Sequence, residues 1–188
     1  MEQNMQSQGK FLLASSVWTG SISGLFVMVY LFTPLASYNI IWMAFISVPI
    51  FLNAGATKKD FMAYSVSGLL GIGWAVLYLF ITGKNMVAGL SMPLANTLTV
   101  ILCTTLLCIL HLIVLPRTWL NNIPIIFGAI ASVFSQGGEN LIPTFITYFY
   151  GIILAMTIAE GNGVLKKIFR NDTGGAMVTE SESLAARP

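Results

Sequence analysis

The 188-residue sequence has little charge, since only 9% of its residues are Asp, Glu, Lys or Arg, against 56% that are hydrophobic. A soluble domain carries about 25% charged residues, so this chain lacks the polar side chains that would cover a surface in water. A soluble globular fold is therefore excluded. The net charge of +2 is also too small and scattered for a nucleic-acid-binding surface, and we expect no nucleic-acid partner.

The sequence also lacks most of the residues from which active sites are built. Its single histidine cannot form a two-histidine metal site, and it has no paired carboxylates and no glycine-rich phosphate loop ending in lysine. Cys103 and Cys108 lie on one predicted helix and point about 140° apart, which argues against a disulfide or a metal pair. We expect no enzymatic activity, no cofactor and no metal.

Charged residues are absent from five long stretches of the chain, which are residues 11–57, 61–83, 85–116, 118–138 and 140–159. A helix needs about 20 residues to cross the hydrocarbon core, so the first stretch holds two crossings and each of the others holds one. The sequence predicts an all-α polytopic membrane protein with six transmembrane helices. They span Phe11–Thr33, Ser37–Asn53, Phe61–Ile81, Met92–Leu115, Ile123–Gln136 and Pro143–Glu160, with Pro34, Gly83, Pro116, Gly137, Gly138 and Gly161 as the breaks between them.

The distribution of lysine and arginine predicts the orientation of these helices. The positive-inside rule places both termini in the cytoplasm, because the resulting inner face carries seven basic residues and the outer face carries Lys84 alone. We expect residues 1–170 to form one six-helix domain and the polar tail, residues 171–188, to be disordered in the cytoplasm. The seven basic residues are Lys10, Lys58, Lys59, Arg117, Lys166, Lys167 and Arg170.

The two halves, about residues 11–82 and 92–163, show a weak internal repeat. A shift of 82 positions superposes five identical pairs, which are Pro34 and Pro116, Asn39 and Asn121, Ile41 and Ile123, Phe45 and Phe127, and Gly55 and Gly137. Each half holds three predicted helices, and an odd number of crossings forces the second copy to be inverted in the membrane. The sequence therefore predicts an inverted three-plus-three repeat.

A motif in the second half resembles a known family. The segment PIIFGAIASVFSQGG precedes a proline-started helix that carries YGIILAM, and its motif residues are Pro124, Phe127, Gly128, Ala129, Phe134, Gln136 and Gly137. This pattern is similar to that of the YcdZ-like bacterial inner-membrane proteins, which have no known function. The first half, which has Asn53-Ala54-Gly55-Ala56 in place of a Gly-Gly pair, resembles the family more loosely. The resemblance implies a six-helix protein of the bacterial inner membrane and no activity.

Two related motifs end the second and fifth predicted helices, LNAG at Leu52–Gly55 and SQGG at Ser135–Gly138. Short or glycine-interrupted helices at matching positions of a repeat point to a binding site in transporters. One interpretation is that the motifs line a polar pathway, and the alternative is that they are helix C-caps leading into tight turns. The candidate pathway residues are Asn53, Gly55, Ser135, Gln136, Gly137 and Gly138.

A polar stripe on the fourth predicted helix supplies three more candidates. Thr97, Thr104, Cys108 and His111 fall within a sector of about 60°, so they face another helix or water and not lipid. Thr97, Thr104 and His111 are candidate pathway-lining residues, and His111 can titrate near neutral pH. The alternative is hydrogen bonding between helices, which polar residues commonly provide in membranes.

Small residues recur at every fourth position on four predicted helices, which favours close helix packing. No charged residue lies near the middle of any predicted span, which argues against ion-coupled transport. Two functions remain open: a channel or facilitator-like transporter for a small uncharged solute, or a membrane scaffold or accessory subunit. Besides the lipid bilayer and such a solute, we expect a second copy of the chain as a partner. The small residues are Gly20 and Gly24; Ser67, Gly71 and Ala75; Gly128 and Ser132; and Gly151, Ala155 and Ala159.

Overall fold

The computed structural model describes residues 2–116, 118 and 120–172, and these residues form helices and the turns between them. The expected all-helical class is confirmed, since the described residues contain no strand. Short 3₁₀ helices at Pro34–Tyr38 and Ile41–Met43 precede α2, and a π-helix at Ile109–Val114 continues α4. The six α-helices are α1 (Glu2–Leu31), α2 (Ala44–Asn53), α3 (Phe61–Val87), α4 (Met92–Cys108), α5 (Ile123–Ser135) and α6 (Leu141–Asp172).

Four of these helical segments are long and apolar enough to cross a membrane. They are Gln8–Leu31, Phe61–Val87, Met92–Val114 and Leu141–Phe169. The apolar segments Ile41–Asn53 and Ile123–Ser135 are shorter and reach about 20 Å, against a hydrocarbon core of about 30 Å. The chain is therefore a multi-pass membrane protein by its apolar helices, with two helices in the predicted positions that are short for a full crossing.

The second helix begins later than the sequence predicts. We expected it to start at Ser37, but Asn39 has a left-handed backbone (φ 52°) that interrupts the helix after the turn opened by Pro34. Asparagine tolerates this conformation, and its amide N–H bonds the carbonyl of Ala36 at 3.1 Å. Regular helix begins only after Ile40.

Two glycines that were predicted to end helices lie inside them instead. Helix α3 continues past Gly83 to Val87. Gly89, two residues after its last residue, has the positive φ (92°) of a glycine that follows a helix C-cap. Helix α6 continues past Gly161 to Asp172, because Gly161 lies directly beneath the indole of Trp18 and lets α1 approach α6 closely. The predicted disordered tail lies outside the described residues from 173 onward.

Helices α2, α3, α5 and α6 form the centre of the bundle, and α1 and α4 lie outside it. The most extensive contacts join α3 to α5 and α2 to α6, followed by α1 to α6 and α3 to α4. Helices α3 and α5 run in the same direction, since Ser67 contacts Asn122 at one end and Leu79 contacts Gly138 at the other. Helix α6 runs opposite to α1, since Ser15 bonds Asn162.

The outward faces of the bundle are apolar, as expected for a surface in contact with lipid. Helix α4 exposes a dense set of aliphatic side chains, and α1 exposes a similar set along its length. Such contiguous apolar surface is rare on soluble proteins. The exposed residues of α4 and its π-helical extension include Leu94, Leu98, Val100, Ile101, Leu102, Leu106, Ile109, Leu112, Ile113 and Val114.

An ion pair at one end of the bundle links the α2–α3 loop to α6. The ammonium of Lys58 lies 2.8 Å from a carboxylate oxygen of Glu160, and both side chains are exposed. The hydrogen bond and the negative charge of Glu160 raise the pKa of Lys58, which favours the charged ammonium.

Cysteine labelling tests whether the short helices cross the membrane. In a background with Cys103 and Cys108 replaced by alanine, six crossings place Ser37→Cys and Glu139→Cys on one side and Lys58→Cys on the other. A membrane-impermeant maleimide applied to intact and permeabilised cells should therefore give opposite patterns for Ser37→Cys and Lys58→Cys. Labelling of both from the same side would mean that α2 enters and leaves on one side.

Candidate functional site

Three hydrogen bonds between side chains join α3 to α4. We call the six residues that form these bonds the α3–α4 polar seam, which consists of Trp74, Tyr78, Asn85, Thr99, Thr104 and His111. Because the two helices run in opposite directions, donors and acceptors pair in reverse order along the chain. The bonds are Asn85 Nδ2 to Thr99 Oγ1 at 3.2 Å, Tyr78 Oη to Thr104 Oγ1 at 2.8 Å, and Trp74 Nε1 to His111 Nε2 at 3.3 Å.

His111 lies at the end of this seam with both ring nitrogens bonded. Its Nε2 accepts the indole N–H of Trp74, so Nδ1 carries the proton and donates to the carbonyl of Leu120 at 3.1 Å. The ring is 2% exposed and belongs to the π-helix Ile109–Val114, a rare element that is frequent at functional sites. The geometry favours the interhelical role of His111.

The predicted polar stripe of α4 is divided between two environments. Thr104 and His111 join the seam, whereas Thr97 is exposed and its hydroxyl bonds the carbonyl of Pro93 in its own helix at 2.8 Å. Thr97 therefore contacts no other helix of the bundle through its hydroxyl, and whether it faces water or lipid stays a prediction. Thr99, which lies two residues after Thr97 and was not part of the predicted stripe, is the buried threonine in this part of α4.

The seam partners on α3 were also missed by sequence analysis. Trp74, Tyr78 and Asn85 are four and seven residues apart, a spacing that places polar groups on one face of a helix. Pairing this face with that of α4 through the short α3–α4 loop would have identified them. Aromatic rings with one polar atom suit this position, because they pack against apolar neighbours and still donate a hydrogen bond.

The LNAG and SQGG motifs form the same kind of helix C-cap. In the first, the amides of Gly55 and Ala56 bond the carbonyls of Leu52 and Phe51, both at 2.9 Å. In the second, 82 positions later, the amides of Gly137 and Gly138 bond the matching carbonyls at 3.0 and 3.1 Å. This is the Schellman motif, and the first residue after each cap has a positive φ.

These two caps lie at opposite ends of the bundle. The first cap follows Phe51, whose ring packs on Tyr64, and the second places Gly138 against Leu79. Fifteen residues of α3 separate these contacts, or about 22 Å along the helix axis. The candidate residues Asn53, Gly55, Ser135 and Gly137 are exposed and Gln136 and Gly138 half-buried, so they do not form one site and can only mark two ends of a pathway.

Tyr148 lies where the four central helices meet. Its side chain is 1% exposed, and its hydroxyl donates to the carbonyl of Ile125 in α5 at 3.1 Å. Its own carbonyl accepts the hydroxyl of Ser47 in α2 at 2.8 Å. The ring crosses α3 at Gly68, where an added Cβ would lie 3.3 Å from it, and it also fills the space beside Gly128. Tyr148 of α6 thus contacts α3 and α5 through its side chain and α2 through its backbone carbonyl.

A second polar seam joins α1 to α6 on the opposite flank of the bundle. The tyrosine hydroxyls of α1 and α6, an indole and a serine bond across it over most of the length of α1. The bonds of this second seam are Ser15 Oγ to Asn162 Oδ1 at 2.8 Å, Trp18 Nε1 to Ile158 O at 3.2 Å, Tyr150 Oη to Phe26 O at 2.9 Å, and Tyr30 Oη to Thr147 Oγ1 at 2.8 Å.

Within the described residues, no group of three His, Cys, Asp or Glu side chains could hold a metal ion.

The cap geometry predicts opposite effects for two matched substitutions. Gly138→Ala should lower the free energy of unfolding by about 1–2 kcal/mol, because a Cβ would be strained at φ 87° and lie 2.5 Å from Leu79. Ala56→Gly, at φ 45°, should leave stability unchanged or raise it by up to about 1 kcal/mol. Unfolding in detergent micelles measures both. Gly163→Ala, which meets nothing within 4 Å among the described residues, is the control.

The His111–Trp74 bond predicts a stability loss confined to the seam. Trp74→Phe leaves the buried Nε2 of His111 without its donor and should cost about 0.6–2 kcal/mol. Thr97→Val removes a hydroxyl that bonds only its own helix and should cost less than about 0.5 kcal/mol. Thermal unfolding followed by size-exclusion chromatography compares the two. Equal losses would show that the seam does not hold α4 on α3.

Comparison with known proteins identifies one family. The model of a family described as "Protein of unknown function (DUF1097)" matches residues 16–167. No curated protein and no solved structure matches the chain. The match agrees with the sequence-based expectation of an uncharacterised family that covers most of the membrane region.

Proposed function

The chain belongs to the DUF1097 family of proteins of unknown function, and from its geometry we propose that it is a channel or facilitator-like transporter for a small uncharged solute. In this proposal the chain crosses the bacterial inner membrane six times, as the resemblance to YcdZ-like proteins implies. The internal repeat makes its two three-helix halves inverted copies, and the positive-inside rule places both termini in the cytoplasm. The family assigns no activity, so the proposal is argued from helix packing alone.

The observation that carries the proposal is a pair of matched backbone contacts. Gly71 of α3 packs on the backbone of Ile126 in α5, and Gly151 of α6 packs on the backbone of Ala44 in α2. Ala44 and Ile126 are 82 positions apart, and the two glycines are 80 apart. These are also the shifts that relate the ends of α2 and α5 (Asn53 and Ser135) and the starts of α3 and α6.

The order of helix contacts supports the same symmetry. Exchanging α1 with α4, α2 with α5 and α3 with α6 turns the α3–α5 contact into α6–α2 and the α3–α4 contact into α6–α1. These are the four most extensive contacts of the bundle. The change of shift from 82 to 80 comes from the loop before α6, which is two residues shorter than the loop before α3. At the shift of 80, identical residues appear in α3 and α6: Gly71 and Gly151, Ile72 and Ile152, Ala75 and Ala155, and Gly83 and Gly163.

Inverted repeats support transport because the two halves can exchange roles on the two sides of the membrane. In repeat-built transporters the solute site lies at the interface of the halves near the middle of the bilayer. Among the described residues, the buried polar side chains are serine, threonine, tyrosine and His111, and none is Asp, Glu, Lys or Arg. An uncharged solute fits such an interface, because an ion would need a charged or strongly polar partner away from water.

Flux into proteoliposomes tests the proposal. Vesicles that contain the purified protein should take up at least one of a panel of small amides, polyols and amines faster than protein-free vesicles, as followed by stopped-flow light scattering. Vesicles containing protein that was heat-denatured before reconstitution control for leaks at the protein–lipid boundary. Equal rates with and without folded protein for every solute would contradict transport.

The second candidate function is a membrane scaffold or accessory subunit, which the free face of α1 favours. Gly20 and Gly24 meet nothing within 4 Å among the described residues, whereas Gly71 and Gly151 are tightly packed. A GxxxG face of this kind suits another helix, including that of a second copy of the chain. Absence of flux in the vesicle experiment would favour this alternative.

A further inference from the structure

Tyr148 and Gly68 are equivalent positions of the two halves, as the shift of 80 that relates α3 to α6 shows. Each lies seven residues after the start of its helix, and the two helices run in opposite directions. The ring of Tyr148 lies on Gly68 itself. A residue that contacts the equivalent residue of the other half lies close to the two-fold axis that relates the two halves.

A second pair on α2 and α5 marks the same axis. Ile46 and Gly128 are 82 positions apart, and a Cβ added to Gly128 would lie 3.1 Å from the side chain of Ile46 and would overlap the hydroxyl of Tyr148. At each pair one half carries a large side chain and the other a glycine. Two large side chains cannot occupy one axis, so the symmetry of the halves is broken at this point by necessity.

We propose that Tyr148 is the plug of the solute pathway and the residue that sets the size of solute that passes. This inference rests on the proposed transport function, because the interface of inverted halves is where a solute site is expected. The ring fills the crossing of all four central helices. The bond from its hydroxyl to Ile125 holds it there, and the bond from Ser47 to its carbonyl fixes its segment of α6.

Three variants separate the ring from its hydroxyl bond. Tyr148→Phe keeps the ring and removes the bond to Ile125, so flux should rise about fivefold, the change expected for one hydrogen bond. Tyr148→Ala removes the ring and should raise flux more strongly and admit larger polyols. Tyr150→Ala is the matched control, because Tyr150 is on the same helix and also donates to a backbone carbonyl, at Phe26 on the outer seam. It should leave flux and size selectivity unchanged.

A labelling experiment tests the plug without any flux measurement. In a chain with Cys103 and Cys108 replaced by alanine, Tyr148→Cys should react with a small water-soluble methanethiosulfonate, because removal of the ring leaves space for water, which takes about 30 Å³ per molecule. Leu154→Cys, fully buried one and a half turns further along α6, should stay unreactive. A Tyr148→Cys chain that elutes as folded protein and does not react would overturn the plug.

The outcomes distinguish the two proposals. Wild-type flux that is unchanged in folded Tyr148→Phe and Tyr148→Ala would overturn the plug and leave transport standing. No flux in the wild type would contradict transport, and flux through Tyr148→Ala alone would then report a hole left by the missing ring and would overturn the plug as well. No flux in any variant would contradict transport and the plug together.

Discussion

The close approach of helix backbones at two places, α3 on α5 and α6 on α2, is the constraint on which the rest of the bundle depends. In hydrocarbon an apolar side chain gains nothing by leaving lipid, so helices associate through van der Waals contact and hydrogen bonds. Gly71 and Gly151 permit that contact, since a Cβ on either would overlap the carbonyl of the facing helix. The small residues are therefore used inside, and the large aliphatic ones cover the outer faces of α1 and α4.

The outer helices are attached by a different interaction. Helices α1 and α4 are each joined to a neighbour by side-chain hydrogen bonds, four on the α1–α6 flank and three on the α3–α4 flank. Each bond adds a modest amount, about 0.6 kcal/mol on average in one membrane protein. Spread along the helices, however, they set the axial position of α1 and α4, which smooth apolar faces alone would leave free to slide.

Helix number and class could be predicted from the sequence because they depend on the spacing of charges. Helix ends were less predictable, because the sequence alone does not distinguish a glycine that ends a helix from one that lies inside a helix and allows a neighbouring helix to approach. Gly137 ends a helix and Gly161 lies inside one, and only the indole of Trp18 over Gly161 distinguishes them. The candidate site was predictable in part: Thr104 and His111 lie on the seam, but their partners Tyr78 and Trp74 depend on the pairing of α3 with α4.

The proposed repeat is faint in the sequence because its two pairs of helices are related by different shifts. A single shift cannot align α2 with α5 and also α3 with α6, because the loop before α6 is two residues shorter than the loop before α3. The glycine and alanine identities of α3 and α6 appear only when the shift is changed from 82 to 80. The remaining differences concentrate at the axis, where Tyr148 faces Gly68 and Ile46 faces Gly128. Identical halves would leave either a void or a collision there. In the proposed transporter, divergence at this axis closes the centre of the bundle at the point that a solute would have to pass.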